Sequence, residues 1–158
     1  MKNFFYPYLW LVIALLFQVS ISPLTVWCPD LLLLAAISFA VFSDTGKGLM
    51  FSFLAGFLRG LMSVHTLPVD IVIFPLLAFV SVVISRIFYR HNPVTHIFIT
   101  ALAIFSLIAA HLTYLNIISG NQMNLGPIFE DSWRTITSTI FLAPFIFAMV
   151  GRQLEGRK

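Results

Sequence analysis

Side chains able to do chemistry are scarce in this chain. Nine Lys+Arg, six Asp+Glu and four His are spread over 158 residues. One arginine stands out by its setting: Arg59, in "FSFLAGFLRGLMSVHTLPVD" at 51–70, lies in an apolar run punctuated by Gly56 and Gly60. Asp70 closes the same stretch, and His65 lies in the short turn between them. If two antiparallel helices flank that turn, Arg59 and Asp70 reach the same depth and form an ion pair. Such a pair either ties two helices together or offers one of its charges to a ligand or partner, and both readings stand open.

Two further polar groups ask the same question. His111, Thr113 and Asn116 fall in the second half of a long apolar run. There they either bond a neighbouring helix or line a polar cavity, with His111 and Asn116 as its lining residues. In "EDSWRTITST", Glu130, Asp131, Trp133 and Arg134 open the last apolar run. Asp131 or Ser132 is placed to cap that helix, and Trp133 suits a membrane interface. The four residues form either a well-capped helix start or a docking edge for a partner outside the membrane.

Catalysis finds no support in these residues. "TGKG" at 45–48 lacks the full spacing of a phosphate loop, and no strand precedes it. His65, His91, His96 and His111 are scattered without metal-ligand spacing. A single cysteine, Cys28, excludes an intrachain disulfide and multi-cysteine metal sites. The expectation is no enzyme, no cofactor and no metal.

The elements that must position these side chains follow from composition. Hydrophobic residues make up 59% of the chain and charged residues 9%, with a mean hydropathy of +0.98; soluble domains are typically ~25% charged. Long apolar runs with short polar breaks describe an all-α integral membrane protein, a single polytopic domain over 1–158. No alternation of the kind a membrane β-barrel needs is present. Six spans are expected, at about 4–22, 30–43, 49–63, 68–86, 95–119 and 133–150. The second is short and opens at Asp30 as N-cap, and Pro75 and Pro144 are placed to kink the fourth and sixth. The breaks between spans are "SDTGKG" and, before the last, the polar loop "GNQMNLGPIFED". Ser52, Gly56 and Gly60 share one face of the third helix, where small side chains admit a neighbouring backbone; Arg59 and Ser63 lie on the adjacent ridge.

Six spans put both termini on one side. With that side cytoplasmic, Lys2, Lys47, Arg86, Arg90, Arg152, Arg157 and Lys158 lie inside, and only Arg59 and Arg134 fall toward the outer face. Seven basic residues against two fit the positive-inside rule. The net charge of +3 therefore calls for no nucleic acid.

"PDLLLLAAISFAVF", "GLMFSFLAGFLRGLMS" and "APFIFAMVGRQLEGR" resemble segments of the bacterial rod shape-determining MreD family, and the similarity of size and layout covers nearly the whole chain. In that family the second helix starts at a proline and a polar residue, here Pro29 and Asp30. The third carries G-x-x-x-D-L-x-S, which maps onto Gly56, Gly60, Leu61 and Ser63, and Pro144 with the basic tail matches the last helix. The family's acidic position falls on Gly60, beside Arg59, so Asp70 is left to supply the carboxylate from the next helix. The resemblance implies a non-enzymatic inner-membrane scaffold of lateral peptidoglycan synthesis. Its partners would be a single-span MreC-like protein, RodA with a class B penicillin-binding protein, the MreB filament indirectly, and membrane lipid. A second format of this size is the substrate-binding component of an energy-coupling-factor vitamin transporter. That protein would hold a solute in an outward cavity lined by Arg59, Asp70, His111 and Asn116.

Overall fold

The computed structural model describes residues 5–21, 28–62, 66–88, 91–119 and 125–155, with side chains defined within them except at 5–8, 21, 119, 125–131 and 155. Among the described residues six helices follow one another: α1 (Phe5–Ile21), α2 (Leu31–Phe42), α3 (Thr45–Met62), α4 (Leu67–Ile87), α5 (Pro93–Ser119) and α6 (Leu125–Glu155). Among the described residues three stretches, Leu67–Ile87, Pro93–Ile118 and Ser132–Leu154, are long and apolar enough to cross a membrane. These mark a membrane protein whose described residues fold into helices.

The short helix α2 is the centre of the packing. Its 12 residues span only about 18 Å at 1.5 Å per residue, short of a ~30 Å hydrocarbon core. A helix apolar on every side must be enclosed on every side, and ten of those residues, from Leu32 to Phe42 apart from Ala35, are buried. Helices α1, α3, α4 and α6 all pack on it. Around it the core gathers Phe51 and Ala55 of α3, Phe74 and Leu77 of α4, Ile99, Ala103 and Leu107 of α5, and Ala143 and Phe147 of α6.

The most extensive contact joins α3 to α4, and glycine makes it possible. A Cβ on Gly56 would strike the Asp70 carbonyl oxygen and come within 2.9 Å of Phe74 Cβ, and one on Gly60 would lie 2.8 Å from Leu67 Cα. The small-residue face of α3 is therefore occupied by the next helix of the same chain. Ser52, on the same face, is buried and returns its hydroxyl proton to the Gly48 carbonyl at 2.8 Å.

Two helices begin earlier than the sequence breaks suggest. Helix α3 starts at Thr45, so "TGKG" is its first turn rather than a loop. Helix α6 starts at Leu125, so the second half of the expected polar loop is helical, and Asp131 and Ser132 lie inside the helix instead of capping it. Pro127 falls in that first turn, where the missing N–H has no helical acceptor to lose. Helices α4 and α6 continue through Pro75 and Pro144.

Candidate functional site: a buried charge cluster

Asp30 is where the site starts. As N-cap of α2 it accepts the Leu33 N–H on Oδ1 at 3.0 Å, satisfying one of the four amides that a helix start leaves without partners. Its own N–H donates to Thr139 Oγ1 on α6 at 2.9 Å, and that hydroxyl donates on to the Thr135 carbonyl at 2.6 Å. The cap is thereby fixed to a distant helix as well as to its own.

Arg59 reaches it from α3. Nε donates to Asp30 Oδ2 at 2.8 Å and Nη1 donates to Asp70 Oδ1 at 2.9 Å. The guanidinium sits 5.8 Å from the centroid of the Phe74 ring, inside the range of a cation–π contact. Asp70 is held in turn by Thr66 Oγ1, which donates to Oδ2 at 2.9 Å, and by His111 Nε2 of α5, 2.8 Å from Oδ1. An ionised carboxylate only accepts, so the imidazole tautomer that satisfies this contact carries its proton on Nε2. Asp70 is 0% exposed and Asp30 3%, so both carboxylates depend on these donors rather than on water.

Five helices therefore meet at one level: α2 through Asp30, α3 through Arg59, α4 through Asp70, α5 through His111 and α6 through Thr139. Beside the cluster lies a cavity of about 210 Å³. Asp30, Arg59, His111, Ser132 and Thr135 form its polar side, and Ile104, Leu107 and Ile108 its apolar side.

The expected ion pair of Arg59 with Asp70 is present, and His111 joins it. Asp30 was legible as a cap but not as a partner for Arg59, which lies 29 residues away; Thr66 and Thr139 carried no signal in the sequence. Asp70 and Asn116, expected as cavity lining, do not line the cavity. Asn116 is half-buried, and Thr113 bonds the Ala109 carbonyl of its own helix at 2.8 Å. On α6, Trp133 is 61% exposed and Arg134 half-buried. The side chains of Ser63, Glu130 and Asp131, and His65 with them, lie outside the described residues. Among the described residues, no group of three or more His, Cys, Asp or Glu is arranged to hold a metal ion.

What the fold and site define is a helical membrane protein whose polar core is an arginine clamped by two aspartates. Comparisons with protein-family models, with curated proteins and with solved structures return no match.

Proposed function

We propose that the chain is a non-enzymatic scaffold of the bacterial inner membrane, a six-span bundle with both termini in the cytoplasm, serving the complex that builds lateral peptidoglycan. The observation that carries this reading is that the charges of the cluster are paired with one another across three helices. Arg59 spends two donors on two carboxylates, and the remaining capacity of Asp70 goes to Thr66 and His111. Charges paired across helices tie those helices together, which fits a part that holds other proteins in place.

The resemblance to MreD supports the same reading, except at the one place where the motif departs. Gly60 stands where that family has an acidic residue, and two carboxylates from neighbouring helices stand beside Arg59 instead. The partners expected are an MreC-like single-span protein and the RodA and penicillin-binding protein pair, with the MreB filament reached indirectly.

The vitamin-transporter reading draws on the cavity, but about 210 Å³ is below the ~300–1,000 Å³ usual for small-molecule sites. Asp30 and Arg59 on its wall already bond each other. Depleting the chain from its native cell distinguishes the two. A scaffold of lateral wall synthesis gives rounded, widened cells; unchanged shape with a nutrient requirement would reject the scaffold and favour the transporter.

A further inference from the structure

A second and larger cavity, of about 740 Å³, opens at the opposite end of the bundle, where α2 and α4 end. It belongs to none of the groups discussed so far. Its volume lies within the ~300–1,000 Å³ range of small-molecule sites. Val41 and Val82 line it with Ser43 and Ser85, and Arg86 and His91 bring basic side chains to it.

Arg86 is the informative residue. Among the described residues no carboxylate lies within ion-pair distance of it, whereas Lys47 at the same end is matched by Asp44 at 2.7 Å. Its Nη2 donates to Thr45 Oγ1 at 3.0 Å, which carries the guanidinium across from α4 to the start of α3. The hydroxyls of Ser85 and Ser43 bond local carbonyls, those of Val82 and Asp44, so neither offsets the positive charge. A last-turn arginine also complements the carbonyl end of its helix, but that role needs no pocket and no reach to α3.

The rim supplies the second half of the argument. Ile87 is 75% exposed and Phe88 53%, and they continue the lipid-facing side of α4 marked by Val83. A cationic fork in a mixed polar and apolar groove, with Ile87 and Phe88 exposed at its rim and at the end of a membrane-crossing helix, matches a phosphate carried on hydrocarbon. Guanidinium pairs with phosphate oxygens through parallel N–H bonds, and basic pockets between helices at the cytoplasmic face suit anionic headgroups.

We infer that this cavity is a binding site for the phosphate headgroup of an anionic phospholipid, held by Arg86 with His91 and flanked by Ile87 and Phe88. The inference rests on α4 crossing the membrane with its Arg86 end toward the cytoplasm, the orientation proposed above, and does not need the scaffold role.

Native mass spectrometry of the full chain in detergent, with phosphatidylglycerol or phosphatidylcholine added, tests it. Wild type should retain phosphatidylglycerol preferentially. Arg86→Gln should weaken that retention about fivefold, equivalent to the ~1 kcal/mol of one basic residue at an anionic surface, while Arg86→Lys keeps part of it. In phosphatidylcholine nanodiscs the melting temperature of Arg86→Gln should fall only slightly, through the exposed bond to Thr45 and the lost charge at the helix end, and Arg86→Lys should fall less, so a loss of phosphatidylglycerol retention is read against that small shift. Equal retention of the two lipids, or retention unaffected by Arg86→Gln, would overturn the site. Displacement of the lipid by equimolar inorganic phosphate would overturn the lipid as the source of the phosphate.

Discussion

Replacing Arg59 with methionine removes the side chain that bonds both buried aspartates. Methionine keeps the aliphatic stem and much of the volume, so the change isolates the loss of the guanidinium. Two carboxylates, 3% and 0% exposed, then lose donors at 2.8 and 2.9 Å. Breaking a buried pair by removing one partner costs about 3–5 kcal/mol, because the other charge stays buried. At ~2–4 °C per kcal/mol for a chain of this size, the melting temperature should fall by about 6–20 °C. Asp70→Asn should cost less, since Arg59 keeps Asp30 and the amide can still accept from Thr66. The double variant should be less damaged than the sum of the two, with a coupling of about 1–3 kcal/mol. The assay is thermal unfolding in one detergent, followed by size-exclusion chromatography, with both singles and the double side by side. Strict additivity, or an Arg59→Met melting temperature within 2 °C of wild type, would refute the claim that the cluster clamps the bundle.

Glycine substitutions test the α3–α4 contact. Gly56→Ala should destabilise by about 1–3 kcal/mol through overpacking, because the new Cβ meets the Asp70 backbone. Gly46→Ala has nothing within 4 Å and should be neutral or stabilising by up to about 1 kcal/mol; equal melting shifts for the two would argue against close approach at Gly56. Thr139→Val strips the buried acceptor from the Asp30 N–H and should cost about 1–3 kcal/mol, again read by melting. A melting temperature unchanged from wild type would place that hydroxyl outside the clamp.

What could be read from the sequence depended on distance along the chain. Arg59 and Asp70 were legible as a pair because a short turn fixes the depth of two antiparallel helices. Asp30 gave a local signal, the cap, and that signal accounted for it so fully that nothing pointed to a second bond across 29 residues. Thr139 and Thr66 are ordinary helix hydroxyls until packing brings Asp30 and Asp70 to them. Helix starts were misplaced at "TGKG" and "LGPIFED" because glycine, proline and charge usually mark breaks, whereas at a helix's first turn each is tolerated. The central place of α2 was half legible: uniform apolarity implies burial on every side, but not which helices do the burying.

The scaffold reading is met most directly by purifying the C-terminally tagged chain from native membranes in mild detergent and identifying what accompanies it by mass spectrometry, with Arg59→Met in parallel. The account expects an MreC-like protein together with cell-wall synthases on the wild-type chain, and their loss from the variant whose clamp is broken. Recovery of ATPases and a coupling protein in their place would contradict it.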